Sequence, residues 1–321
     1  MTPNVKGAVF GLTAFGVFAV HDAVVKWLGA TYSPVQIVFF SVLFGFPLVT
    51  LMLIRDPEPA HLRPRRPGWT ALRTASVAVT GLSAFYAFAT LPLAQVYAIL
   101  FAAPLLITVL SIPILGETVR LKRWAAVIVG LCGVLIVLRP GGTDLTAGHA
   151  AALVAAFGGA LASIIVRKIG QEERSVVLLL YPLLVNFALM GAALPFVYQP
   201  MPAAHLGGLA GLAALAFTAS ALVIAAYRIG EAVIVAPMQY SQILWAVLFG
   251  ALFFGERPDL WTVVGAAVII GSGLVILWRE SDRTASANRP VLQSRSRFET
   301  GTVPRISLLQ RALGRREPAR D

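Results

Sequence analysis

Ten apolar stretches of about 16–24 residues fill positions 5–278 of the 321-residue chain almost end to end. A helix needs about 20 apolar residues to cross the hydrocarbon core of a bilayer. The pattern therefore predicts an all-α membrane protein with ten transmembrane helices. They run at about 5–27, 34–54, 69–90, 93–115, 123–138, 146–168, 175–197, 204–227, 231–254 and 259–278. Charged residues make up only 13% of the chain, where soluble domains run nearer a quarter. Mean hydropathy is +0.79. The first apolar run reads as a retained helix, because no cleavage pattern follows it.

The net charge of +11 invites a nucleic-acid reading, but its distribution opposes one. Ten of the 26 Lys and Arg follow residue 278, and most of the others sit in short loops. No basic stripe with interleaved aromatics lies on a soluble face. The expected partners are therefore the lipid bilayer and a small-molecule substrate, with no nucleic acid; the oligomeric state is not legible. Cys132 is the single cysteine, so neither a disulfide framework nor a cysteine metal site is available. Inside an apolar run it reads as a small buried residue. No paired acid–base carboxylates, metal motif or nucleotide loop appears, so no enzyme, catalytic residue, metal or cofactor is expected.

Lys and Arg also orient the chain. With the N-terminus cytoplasmic, the inner side holds Lys6, Arg55, Arg63, Arg65, Arg66, Arg73, Arg120, Lys122, Arg123, Arg167, Lys168, Arg174 and Arg228. The outer side holds Lys26, Arg139 and Arg257. Thirteen against three fits the positive-inside rule. The expected location is a bacterial inner membrane, with both termini cytoplasmic.

The halves repeat. Gly7, Val25, Lys26 and Gly29 match Gly148, Val166, Arg167 and Gly170 at a constant separation of 141 residues. Gly116-Glu117 matches Gly255-Glu256, and Gly133 to Arg139 matches Gly273 to Arg279, at separations of 139 and 140. Each half then holds five helices, at 5–140 and 146–279, and a basic tail occupies 281–321. Five is odd, so the second half must enter the membrane from the opposite side. Such inverted repeats are the plan of many secondary transporters, which hold substrate near the midplane between halves.

The ten-helix duplicated plan and the Gly-Glu closing each fourth helix resemble the drug/metabolite transporter superfamily, within its EamA-domain group. Local strings carry the resemblance: Asp22-Ala-Val-Val-Lys26-Trp27, Leu93-Ala-Gln-Val-Tyr-Ala-Ile-Leu-Phe-Ala-Ala-Pro104, Gln239-Tyr-Ser-Gln-Ile-Leu-Trp245 and Phe254-Gly-Glu256. The wording is similar to bacterial members that carry S-adenosylmethionine or riboflavin. The resemblance implies a metabolite carrier and covers about residues 5–278. It departs at Ser41, where many relatives carry an arginine, so a contact by that arginine with an anionic substrate does not carry over.

Polar residues in the spans are the candidate site. Asp22 and Lys26 lie four apart and share a helix face, beside His21. They read as a structural ion pair or as a gate. Arg167 repeats Lys26, but Ser163 stands where its aspartate would be; it is an anchor or an inner gate. Ser83 and Tyr86 in the third span, Gln95 and Tyr97 in the fourth, Asn186 in the seventh, and Gln239, Tyr240 and Trp245 in the ninth are candidate substrate contacts. Helix packing explains the same residues. Pro104 and Pro237 should break their helices and free carbonyls beside a cavity. The expected function is secondary transport of a small organic metabolite by alternating access. A lipid-headgroup flippase or a membrane-embedded enzyme is the alternative.

Overall fold

The computed structural model describes residues 3–54, 63–116, 119, 121–140, 145–169, 172–173, 175–230 and 232–281. Readings of the Arg55–Gly68 loop, of Glu117, and of the tail with its amphipathic segment Arg305–Arg316 fall wholly or partly outside those residues.

The described chain is helical throughout, with no β-strand. In order come α1 (Pro3–Gly29), α2 (Pro34–Ile54), α3 (Pro67–Thr90), α4 (Leu93–Leu100), α5 (Ala103–Leu115), α6 (Leu121–Leu138), α7 (Ala147–Ile169), α8 (Ser175–Val197), α9 (Ala203–Ile229), α10 (Ala232–Val235), a 3-10 turn (Ala236–Tyr240), α11 (Ser241–Phe254) and α12 (Leu260–Ser281). Pro3, Pro34 and Pro67 open α1, α2 and α3, the position where a missing N–H costs nothing.

The fourth apolar stretch is broken at Phe101–Ala102, and the ninth at the 3-10 turn. Pro104 and Pro237 stand just inside the new segments, where each removes a ladder donor. The same stretches end alike. Gly116 and Gly255 adopt left-handed φ of 71° and 63°, which glycine reaches without a Cβ clash.

Among the described residues, six helical segments are long and apolar enough to cross a bilayer: Pro3–Gly29, Leu93–Leu115, Ala147–Ile169, Leu180–Val197, Ala203–Tyr227 and Ala236–Phe254. Shorter apolar helices run at Pro34–Pro47, Trp124–Leu138 and Leu260–Ile276. The sequence reading expects ten spans, and α3 differs most from it. Its 24 residues are long enough, but Arg73, Thr70, Thr74, Ser76 and Thr80 lower its hydropathy, and all five are buried. Their polarity is absorbed locally: Arg73 donates to the Leu178 carbonyl of α8, Ser76 to Leu72 and Thr80 to Ser76.

Contacts gather the helix ends at two poles. At one, Gly29 meets Ala89, Tyr32 meets His205, Gln36 meets Gln199, and Arg139 pairs with Asp259. At the other, Gly7 meets Gly230, Arg66 meets Glu172, and Lys168 covers Trp69. The most extensive packing joins α1 to α9, α3 to α7, and α6 to α12. Small residues let these backbones touch, as apolar surroundings require, since lipid tails provide no hydrophobic drive between helices. A Cβ on Gly133 would stand 3.0 Å from the Gly265 carbonyl oxygen. Cys132 beside it is exposed with Ile128, Val129 and Leu135, on a face of α6 turned outward. The buried reading fails there because, in lipid, apolar residues face outward as readily as inward.

Gly7→Ala places a Cβ 2.6 Å from the Gly230 Cα. Backbone cannot yield as a flexible side chain does, so the change should cost about 1–3 kcal/mol. Gly207→Ala meets nothing within 4 Å and should be neutral or gain up to about 1 kcal/mol. Thermal unfolding in detergent, followed by tryptophan fluorescence, checks both.

Candidate functional site

Asp22 lies in α1 with 1% of its surface exposed. An ionisable group so buried must be hydrogen-bonded or paired. Its Oδ1 lies 2.8 Å from His21 Nδ1, and its Oδ2 accepts the Tyr97 hydroxyl of α4. Gln242 Nε2 of α11 donates to that hydroxyl in turn, at 3.4 Å. His21, Asp22, Tyr97 and Gln242 are all buried. One polar chain thus ties α1, α4 and α11 together, joining positions 145 residues apart.

One turn along α1, Lys26 pairs with Glu256, Nζ to Oε1 at 2.8 Å. Lys26 also donates to the Leu91 carbonyl at 2.6 Å, while Glu256 Oε2 accepts the Leu93 amide at 2.9 Å. The ammonium stands 5.5 Å from the centre of the Phe254 ring. The pair therefore clasps the break between α3 and α4 and caps the start of α4. Its side chains are 13% and 17% exposed, so it is worth more than a surface pair, whose median is about 0–1 kcal/mol.

An aromatic row leads inward from this cluster. Phe88 packs on Tyr97, Tyr97 on Phe101, and Phe101 on Tyr240, with ring centroids 5.5, 6.0 and 5.1 Å apart. The two breaks thus meet through Phe101 and Tyr240. The Tyr240 hydroxyl is buried against Gly273 of α12. Trp245 lays its indole on Gly16 of α1, and its buried Nε1 has no hydrogen-bond partner among the described residues.

The predicted residues thus fall in several places. His21, Asp22 and Tyr97 form one network, Lys26 stands above it, and Tyr240 is joined to it by the aromatic row. Gln95 and Gln239 are half-buried near the two breaks. Ser83 is half-buried on α3, and Tyr86 is 37% exposed there. Asn186 of α8 is fully buried, and neither of its amide atoms has a hydrogen-bond partner among the described residues. Arg167 ends α7 at the opposite pole from Lys26.

Glu256 and Gln242 are the residues that the sequence reading did not place in the site. Glu256 was legible as half of a repeated Gly-Glu, yet read as a helix end. Its partner comes from 230 residues away, a distance that no local spacing reveals. Gln242 stood in the polar run of the ninth stretch without anything to separate it from its neighbours.

Long apolar helices that bury ionisable groups only in partnered form define a polytopic membrane protein. This chain belongs to the EamA-like transporter family, whose model matches residues 5–139 and again 146–278. It is 26% identical over 284 residues to the S-adenosylmethionine uptake transporter of Rickettsia prowazekii, covering 88% of this chain and 95% of that one. It is 29% identical over 291 residues to the riboflavin transporter of Vibrio cholerae, covering 87% and 95%. It is 27% identical over 271 residues to the pseudopaline exporter CntI of Pseudomonas aeruginosa, covering 83% and 93%. A solved crystal structure shares the fold, with a TM-score of 0.56 at 18% identity over 85% of this chain and 95% of its own.

Lys26→Met leaves the Glu256 carboxylate half-buried without its cation, and Glu256→Gln does the converse. Each single change should destabilise the protein, and the double change should recover about 0.5–3 kcal/mol of coupling. Thermal unfolding of the four proteins measures it; strict additivity would remove the clasp.

Proposed function

We propose that this protein is a secondary transporter that moves a small organic metabolite across the bacterial inner membrane by alternating access. On this reading the chain is two inverted repeats of five spans, with α4–α5 and α10–α11 each making one broken span. The Lys26 pole is then periplasmic and the Arg66 pole cytoplasmic, as the Lys/Arg bias requires.

Helix pairing supports the repeat. Exchange of the halves turns the α1–α9 contact into the α7–α3 contact, and both are extensive. It maps α2–α8, α4–α11 and α6–α12 each onto itself, and all three pack together. Phe101 and Tyr240, which touch at the two breaks, are 139 residues apart, the separation that relates Gly116 to Gly255.

One departure from this symmetry carries the transport reading. α1 packs on α3, with Gly29 against Ala89. The equivalent pair, α7 and α9, is not among the packed helix pairs of the described residues. The halves are thus joined at the periplasmic pole, where Lys26 and Glu256 clasp, and apart at the cytoplasmic one. A transporter resting with its outer side closed has this form. Two near-equivalent halves make the opposite state close in energy, so a bound substrate can select between them. The names of the relatives, which span uptake and export, support a metabolite as cargo without fixing its identity.

Reporter fusions after Ala60 and after Ser281 should read cytoplasmic, and one near Met201 periplasmic. Proteoliposomes should then take up one of a panel of labelled metabolites, starting with S-adenosylmethionine and riboflavin, and the same compound should raise the unfolding temperature. A ligand at about 100 times its Kd adds about 2.7 kcal/mol. In a Cys132→Ala background, oxidising Lys26→Cys with Glu256→Cys should lock the outer pole and stop uptake, and reductant should restore it. Uptake that continues through a formed cross-link would overturn alternating access at this pole.

A further inference from the structure

We propose that the His21–Asp22 pair is a proton-binding site, emptied when the Lys26–Glu256 clasp opens and Lys26 takes the proton's place beside Asp22. This rests on the alternating-access reading and adds a coupling ion to it.

His21 and Asp22 side chains are 6% and 2% exposed, and the facing atoms are 2.8 Å apart. One proton shared between an imidazole and a carboxyl makes their sum neutral, whichever atom carries it. Without that proton the pair is a net negative charge in an apolar interior, where an uncompensated charge is costly. In the closed state Lys26 is committed to Glu256 and to the Leu91 carbonyl, so the proton neutralises the pair.

Opening the outer pole changes the charge balance. Glu256 moves away with the second half and is hydrated. Lys26 stays on α1, four residues from Asp22 and on its face, within the reach of an i, i+4 pair. Its ammonium then neutralises Asp22 directly. The shared proton becomes surplus and leaves to water on the open side. The buried site is neutral before and after, and one proton is released for each opening.

The surrounding elements add neutral groups at the site itself. α4 contributes Tyr97, α11 contributes Gln242, and α3 turns the edge of Phe85 to His21, with ring centroids 6.1 Å apart. The other titratable or charged groups of helices packed on α1 are engaged elsewhere. Arg73 of α3 reaches the Leu178 carbonyl, His205 of α9 reaches Tyr32, and Tyr240 lies against Phe101 and Gly273. Tyr86 is exposed on α3, and Tyr227 lies in the last turn of α9, where that helix nears Gly7. Because Tyr97 holds Asp22 and is held by Gln242, movement of the second half is felt at the proton site.

The closed state binds one proton more than the open state, so low pH favours closed and high pH favours open. The open-to-closed ratio changes by up to about tenfold per pH unit.

Spin labels at Ala30→Cys and Leu260→Cys in the Cys132→Ala full-length protein report the distance across the clasp. Both positions are exposed, and neither forms part of it. In liposomes without substrate, the long-distance population should grow as pH rises between about 4 and about 8, the range of carboxylate and imidazole titration. Asp22→Asn should hold the short distance at every pH. Tyr97→Phe keeps the carboxyl and removes its donor, so it should shift the midpoint; it carries the test where Asp22→Asn does not fold. Glu256→Gln should populate the long distance. A wild-type ratio flat with pH, in a protein that Glu256→Gln does open, would overturn the proton site alone. A short distance in every variant at every pH would overturn alternating access as well.

Discussion

A charge in an apolar medium must find a partner, and the rest of this molecule is arranged around that demand. α1 carries His21, Asp22 and Lys26 within two turns. No single helix can satisfy all three without crowding them together. The fold shares their partners out among other elements. α4 brings Tyr97, α11 brings Gln242, and the turn after α11 brings Glu256. Each partner comes from beyond α1, and two of the three come from the second half of the chain. The contacts that make the first helix tolerable in an apolar setting are therefore also contacts between the halves.

The breaks in the fourth and ninth stretches make this convergence feasible. A continuous helix through Pro104 or Pro237 would leave its own carbonyls unmet in an apolar region. Broken, the two stretches bring Phe101 and Tyr240 into contact and stack the aromatic row beneath the polar cluster. Glycines set how near the neighbouring helices come. At Gly7 and Gly230, and at Gly133 and Gly265, backbones meet with no room for a methyl group.

On the proposed inverted plan, equivalent positions carry different chemistry at the two poles. Tyr32 and His205 join with a neutral 2.6 Å hydrogen bond at one pole. Glu173 and Arg66, their counterparts at separations of 141 and 139, meet at the other, where the Arg66 amide donates to the Glu173 carboxylate. Trp27 packs on His205, while its counterpart Lys168 covers Trp69. Near-equal halves with unequal fastenings suit a molecule whose two states are close in energy but not interchangeable.

Much of this was legible in the sequence because the signals are local. Apolar run length, the prolines at 104 and 237, and the glycines at 116 and 255 act within one or two turns, and the helices break and end where those residues stand. The repeat was legible because duplication leaves constant separations. Side-chain partners were not. Sequence placed Lys26 on the same face as Asp22, but only the packed bundle brought Glu256 to Lys26 and Tyr97 and Gln242 to Asp22. It read Cys132 as buried, although an apolar run has no intrinsic inside when its surroundings are also apolar. It counted α3 among the plainly apolar spans, whereas packing buries that helix's arginine and hydroxyls against its neighbours. Local chemistry determined where helices begin, break and stop. Which faces turn inward, and which charges meet, depends on residues up to 230 positions apart, so only the tertiary structure decided it.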